Sequence, residues 1–331
     1  METITETILH SLNLARLRFD LTILHPAEVP PYKGDILRMA LLWHLSDVLC
    51  PMDTRCRDGC RRPDTCMFGL LNEPPPDPKW PHKLRNLVGD KTPAAYVPWD
   101  LNDRRTHLRA GDPWAFEIAL IGDLALSQLP AIVEAMHRGA ENGIGRMKLR
   151  ARLRRVSAIT PDRTQTLVDE TPDGLAWQTY DPGAVAFGYL PPAREPVHSL
   201  GLRYLSPVKL KLRGEWVETP DFNPVMRAVV RRLRIVSAVH GGGEWPHEAW
   251  GPLLDLAETV RLDYDETHRT GYGRYSKRGG KHELGGFVGQ AWYTSEEDLE
   301  PLMPALWLAQ WLHIGKAHVF GNGRYMIEQV W

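Results

Sequence analysis

The hydrophobic pattern of this chain runs through one order of elements twice, and that repetition constrains the fold more than any other feature. Residues 14–24 alternate apolar and polar side chains, the period of a half-buried strand. Pro30-Pro31 breaks the strand, and Gly34 and Asp35 open a helix with Ile36, Leu37, Ala40, Leu41, Leu45, Val48 and Leu49 at helical spacing. Strand-like runs follow near 94–99 and 114–121. A helix then runs from about Ser127, its expected N-cap, to Ala140. Gly143-Ile144-Gly145 stops it, and a basic strand over 146–159 closes the first round. The second round has a strand over 202–212 and a helix over 221–239 with Val225, Val229, Leu233 and Val236 on one face. Strands near 257–266 and 286–294, a Leu- and Trp-rich helix over 297–313 and a final strand over 317–330 complete it. Each round is β-α-β-β-α-β, the ferredoxin-like or RRM-like order, so the expected class is α+β with two tandem ferredoxin-like domains.

The expected boundaries are 1–160 for the first domain and 198–331 for the second, joined by a proline-rich linker over 161–197. An irregular insertion over 50–93 holds a proline cluster and all four cysteines: Cys50, Cys56, Cys60 and Cys66, spaced C-x5-C-x3-C-x5-C. In a cytoplasmic protein such a cluster reads as a structural zinc site or as free thiols in a structured loop, with oxidised pairing a third reading. The first ten residues carry two glutamates and no basic region, which argues against a signal peptide. No apolar run reaches the ~20 residues of a membrane helix. The expectation is a cytoplasmic protein without a membrane partner.

A net charge of −1 excludes a protein that is basic all over, but the cations cluster. Arg146, Lys148, Arg150, Arg152 and Arg154 alternate along residues 146–155, which would place them on one strand face. Five like charges on one face repel unless a polyanion or an acidic surface lies opposite. Arg274, Lys277, Arg278 and Lys281 interleave with Tyr272 and Tyr275, which suits base stacking with phosphate contact. At the C-terminal end, Lys316 and Arg324 flank the glycine-rich turn Gly321-Asn322-Gly323. Glycines let a backbone approach a ligand closely, and cations beside exposed N–H groups suit a phosphate chain. These features point to nucleic acid.

Several of these segments together resemble a known family. Arg274-Tyr275-Ser276-Lys277-Arg278, Leu284-Gly285-Gly286-Phe287-Val288-Gly289, His313-Ile314-Gly315-Lys316 and Phe320-Gly321-Asn322-Gly323-Arg324-Tyr325 occur in order. Tyr32-Lys33-Gly34-Asp35-Ile36-Leu37-Arg38, a cysteine cluster before Phe68-Gly69-Leu70, and Leu205-Ser206-Pro207-Val208-Lys209-Leu210 precede them. The ordered set is similar to the RAMP superfamily of CRISPR-associated proteins, and within it to the pre-crRNA-processing endoribonucleases. Asn322 departs from the family, whose loop more often has a small apolar residue there; Asn tolerates left-handed backbone, so the turn is expected to persist.

The resemblance implies repeat RNA of a CRISPR transcript as substrate, and metal-independent cleavage in which the ribose 2′-hydroxyl attacks the adjacent phosphate. It leaves a 5′-hydroxyl and a 2′,3′-cyclic phosphate, and it requires no catalytic cofactor. It also implies a catalytic histidine on the first helix, where this chain has His44. Histidine titrates near neutral pH and can act as acid or base. His44 also falls beside the apolar stripe, so a core-edge histidine is the competing reading. Tyr32, otherwise a packed turn aromatic, and Lys33, otherwise an exposed lysine, are the expected helpers. The alternative function is a non-catalytic RAMP subunit that holds crRNA beside other effector subunits. Cleavage in a chelator separates the two.

Overall fold

The computed structural model describes residues 12–50, 65–89, 92–180, 185, 196–241, 250–276 and 280–330. They divide into two compact units, one of residues 12–185 with Val239–Gly241, the other of residues 196–238 with 250–330.

In the first unit, strand β1 (Leu14–Ile23) leads through β2 (Ala27–Glu28) to helix α1 (Gly34–Leu49). Helices α2 (Met67–Asn72) and α3 (His82–Val88) follow, then β3 (Tyr96–Trp99), β4 (His107–Leu108) and β5 (Pro113–Ile121). Helices α4 (Gly122–Ser127) and α5 (Leu129–Asn142) lead into β6 (Ala151–Ile159), β7 (Thr164–Thr171) and β8 (Gly174–Trp177). The strands form one antiparallel sheet in the order β3-β5-β1-β6-β7-β8. The alternation read along 14–24 is real: Leu17, Phe19, Leu21 and Ile23 are buried, while Arg16, Arg18, Asp20 and Thr22 are only partly covered. Phe19 stacks on its register partner Phe116, ring centroids 4.9 Å apart, at the middle of the core. Burying aromatic pairs of this kind is a main source of folding free energy.

In the second unit, β9 (Ser199–Val208) is followed by the ribbon β10 (Lys211–Leu212) and β11 (Glu215–Trp216), then by α6 (Phe222–His240) and α7 (Gly251–Thr259). Strands β12 (Arg261–Asp265), β13 (His268–Ser276) and β14 (Gly280–Thr294), helix α8 (Met303–Leu312) and β15 (Tyr325–Val330) complete it. The sheet order is β12-β14-β9-β15, with β13 paired to β14. In both units the four main strands, taken in chain order, lie second-third-first-fourth: β3-β5-β1-β6 and β12-β14-β9-β15. The tandem ferredoxin-like expectation therefore holds. The second core is rich in tyrosine, and the buried Tyr204, Tyr293 and Tyr325 hydroxyls each have a partner. Tyr204 and Tyr293 share a hydrogen bond of 2.7 Å, Tyr293 donates to the Pro220 carbonyl at 2.6 Å, and Tyr325 donates to that of Leu306 at 2.5 Å. A buried hydroxyl without an acceptor would carry a desolvation cost.

Local expectations failed where a backbone device intervened. The 50–93 insertion is not wholly irregular, since it contains α2 and α3. Ser127 is not an N-cap; it ends α4, and its hydroxyl donates back to the Leu124 carbonyl at 2.8 Å. Residues 146–150 are not strand. Positive φ at Gly143 (104°), Gly145 (75°) and Lys148 (49°) curls them into a turn closed by an Ile144–Leu149 bridge. Residues 164–177 are not linker, because β7 and β8 extend the first sheet. Residues 257–259 finish α7 instead of beginning a strand. The last strand starts at Tyr325, after the chain has turned repeatedly over 313–324. No helix among the described residues is long and apolar enough to cross a membrane.

Candidate active site and basic surfaces

His44 lies on the buried side of α1, 7% exposed. Its ring packs against α5 at Gly139, where a Cβ would sit 3.3 Å from His44 Cδ2. Glycine there lets the two helices approach with the imidazole between them. Asp47, one turn on, brings a carboxylate to 3.8 Å from Nδ1. That is too long for a hydrogen bond. Asp47 was legible in the sequence as the i+3 neighbour of His44, and sequence reasoning passed over it.

Tyr32 and Lys33 are not brought to His44. Lys33 is eleven residues ahead of it, about 16 Å along a helix that rises 1.5 Å per residue. Nor is Lys33 the exposed lysine expected by default. Its side chain is 0% exposed; Nζ donates to the Asp103 carbonyl at 2.5 Å and lies 3.7 Å from the Asp103 carboxylate. Its backbone N–H donates to Asp100 Oδ2 at 2.9 Å. Burial pushes the ammonium below the usual lysine range, and Asp103 and Asp100 pull it back. Tyr32 carries the guanidinium of Arg104 on its ring face, 4.2 Å from the centroid, and Arg104 is held in turn by Asp100 at 2.9 Å. The cation presented beside Tyr32 is thus Arg104.

The basic run of 146–155 is split. Arg146 and Lys148 are exposed on the 145–148 turn, and Arg150 donates to the Glu141 carbonyl at 2.8 Å. Arg152 and Arg154 are exposed on β6, with Arg154 at a bulge where the register with β1 shifts. The expected single face of five cations does not form. The acidic surface that such a row needs is in the chain itself: Glu170 on β7 pairs with Arg152 at 3.8 Å and with Arg154, and Asp169 pairs with Arg155 at 3.1 Å.

In the second unit, the turn between α8 and β15 folds over the end of β9. Gly321 and Gly323 have φ of 80° and 82°, and a Cβ on Gly323 would collide with the Ile314 carbonyl oxygen. Gly323 N–H donates to the Pro207 carbonyl at 3.0 Å, and its carbonyl accepts from Ile314 N–H at 2.9 Å. Arg324 is 4% exposed, with its guanidinium 4.4 Å above the Trp311 ring. Its N–H donates to Ser206 Oγ at 2.8 Å. Lys316 is the exposed cation of this segment. Asn322 is buried and accepts a hydrogen bond from Tyr272 at 2.8 Å, which ties the turn to β13.

Beneath the turn, Arg232 of α6 is 5% exposed, donating to the Leu312 carbonyl at 3.0 Å and to His318 Nε2 at 3.1 Å. An arginine N–H can only donate, so His318 accepts and is neutral. Burial pulls Arg232 down to about 9. Burial likewise holds His313 and His318 well below the usual histidine range, aided by Arg324 for His313 and by Arg232 for His318. His313 Nδ1 donates to the Asn322 carbonyl at 3.1 Å. Through these bonds both histidines tie the turn to its surroundings.

Lys277 and Arg278 lie outside the described residues, as do Cys56 and Cys60. Arg274 and Lys281 pair within the β13–β14 hairpin, at the register positions Arg274–His282 and Tyr275–Lys281. Cys50 is partly exposed and Cys66 buried, both as free thiols. Among the described residues no three His, Cys, Asp or Glu side chains are grouped as metal ligands.

Residues 12–179 match a family model described as an N-terminal domain, and residues 202–325 match that of the CRISPR-associated endoribonuclease Cas6. A search of curated protein sequences finds no match. Among solved structures, a Cas6 (TTHB231) product complex aligns with a TM-score of 0.54 at 13% identity, over 96% of this chain and 99% of that one. Thermus thermophilus Cas6 (TTHB231) gives 0.53 at 14% identity, over 96% and 99%. A partial Cas6-RT-Cas1–Cas2 complex gives 0.56 at 14% identity, over 97% of this chain and 47% of that one. At such identities the structural likeness shows the shared fold, and the sequence models carry the family. The Cas6 model thus covers the second unit, and residues 202–325 form a Cas6 domain, the CRISPR-associated endoribonuclease domain that processes pre-crRNA.

Proposed function

We propose that this chain cuts each repeat of a CRISPR transcript without a metal ion, the ribose 2′-hydroxyl attacking the adjacent phosphate to leave a 5′-hydroxyl and a 2′,3′-cyclic phosphate. The observation that carries the proposal is His44, a histidine on the first helix with a carboxylate 3.8 Å from its Nδ1. The reaction removes a proton from the 2′-oxygen and delivers one to the leaving 5′-oxygen. An imidazole can carry out either of these transfers. His44 acts without Tyr32 and Lys33, which lie about 16 Å along the helix. Tyr32 with its stacked Arg104 binds a phosphate farther along the RNA, and Lys33 holds the Asp103 loop that presents Arg104.

Arg146, Lys148, Arg150 and Arg152, the β13–β14 hairpin with Arg274 and Lys281, and Lys316 supply phosphate contacts. Gly321, Gly323 and Arg324 shape the turn that presents Lys316. CRISPR repeat RNA and, after cleavage, crRNA are the proposed partners, with other CRISPR subunits as further ones. If the four cysteines bind zinc, four thiolates make a closed structural site that takes no part in the reaction. Metal analysis of the purified protein measures its occupancy.

The decisive experiment is single-turnover cleavage of repeat RNA in EDTA. Wild type is expected to cleave, and His44→Ala to be slower by ~10²–10⁴-fold. A wild type that binds repeat RNA without cutting it sinks the enzymatic reading. A His44→Ala variant as fast as wild type moves the proton transfer to another residue.

A further inference from the structure

Helices α6 and α8 pack on one face of the second unit's sheet, through contacts such as Phe222 on Tyr293 and Tyr325 on the Leu306 carbonyl. The strand register determines what the opposite face presents. Tyr264 of β12, Trp292 of β14 and Gly201 of β9 are successive register partners and form one row. Two residues along, Gln290 of β14 pairs with Arg203 of β9, with Glu328 of β15 beside them. Side chains alternate along a strand, so both rows share a face.

The Trp292 indole lies against Gly201: a Cβ there would overlap its six-membered ring. Glycine at that point lets the ring settle along the sheet, where Trp292 is partly exposed and lines a hollow. Tyr264, 55% exposed, is its neighbour. Arg203 and Glu328 form an ion pair, and Gln290 Nε2 donates to the second Glu328 oxygen at 2.6 Å. Arg203, Gln290, Trp292 and Glu328 line an open hollow of about 310 Å³, at the small end of ligand clefts.

We infer that this hollow binds one guanine base of a single-stranded RNA segment, stacked on Trp292 and read by Glu328 and Arg203. Stacking on an aromatic face and hydrogen bonding along the base edge is how unpaired RNA bases are recognised. The polar pair selects guanine. Its N1–H and N2–H present two adjacent donors to one carboxylate, and its O6 and N7 present two adjacent acceptors to one guanidinium. Adenine N1 is an acceptor and repels the carboxylate, leaving only the N6 amino group as a donor there, and the pyrimidines lack N7. A half-exposed ion pair has little net strength, so the Arg203–Glu328 contact opens readily for a better-matched ligand. RNA is chosen over a free nucleotide because of the repeat-RNA reading above, on which that part of the inference rests.

The test uses the full-length protein and uridine hexamers carrying one central guanosine or one central adenosine, with affinity read by fluorescence anisotropy and by tryptophan quenching. The guanosine hexamer is expected to bind about tenfold more tightly. Glu328→Gln, which keeps the shape of the side chain, is expected to remove that preference, and Trp292→Ala to weaken both hexamers and abolish the quenching. Equal affinity of wild type for the two hexamers overturns the inference, as does a guanosine preference that survives Glu328→Gln. GMP binding as tightly as the guanosine hexamer overturns the assignment to RNA. No cleavage enters the measurement, so its failure leaves the His44 reading standing.

Discussion

The two units share a strand order but hold several of their cations in different ways. In the first, Lys33 is enclosed and held by Asp103 and Asp100, and the β6 arginines meet Glu170 and Asp169. In the second, Arg232 meets a carbonyl and an imidazole, and Arg324 lies on an indole. A carboxylate cancels the charge it holds, whereas a carbonyl, a neutral histidine or an aromatic ring holds a cation and leaves its positive field in place. The same topology thus yields a first unit that sets Lys33 and the β6 arginines against carboxylates, and a second that sets Arg232 against a carbonyl and an imidazole.

The two helix-to-strand turns sharpen the comparison most. Gly145 faces the Ile36 side chain, which can shift, while Gly323 faces the fixed Ile314 carbonyl, both at positive φ. Gly323→Ala is expected to cost about 3 kcal/mol or more, from left-handed strain plus collision, and Gly145→Ala about 1–2 kcal/mol. Urea denaturation of both variants checks the ranking, and equal losses would remove the distinction. Lys33→Met comes next, at about 2 kcal/mol; this is below the usual figure for a broken buried pair because Arg105 still holds Asp103 at 2.7 Å.

The pH response should differ between the units. His313 and His318 have folded pKa values below the unfolded value of about 6.5, so the unfolded chain binds more protons as pH falls below it. Their contribution to stability is complete above about pH 6.5 and is lost progressively as pH drops. His318→Gln should flatten the decline between pH 6.5 and 5, measured by the urea midpoint of the full chain; an unchanged slope would remove His318 from the account. The smallest expected effect is on RNA binding. Glu170→Gln releases Arg152 and Arg154, and should tighten RNA binding about two- to threefold at low salt, with a steeper salt dependence. An unchanged affinity would mean that RNA does not reach that edge of β6.

Periodicity made the architecture legible. Alternation marked β1, strand-like runs marked β5, β9 and β14, and helical spacing marked α1 and α6, because burial of one face imposes such patterns whatever the surroundings. Positions governed by backbone torsion were not legible. The run 146–150 has the alternation of a strand and is a turn, since three positive φ values override the pattern. Ser127 has the chemistry of an N-cap and bonds backwards into α4. The candidate site was legible in residue type but not in partnership. His44 and Asp47 are three apart on one helix, so their proximity follows from sequence alone. Lys33 and Asp103 are seventy residues apart, and their contact depends on how β4 and the loop before it fold back over the start of α1.

By itself the sequence determined the α+β class, the doubled ferredoxin-like order and the position of His44 on the first helix, because all of these rest on local periodicity and on residue types in order. Only the tertiary structure decided which charges remain available. Whether a lysine is an exposed cation or an enclosed one, and whether a row of arginines faces solvent or carboxylates, depends on which strands become neighbours. Strand neighbours are long-range contacts that no local pattern encodes.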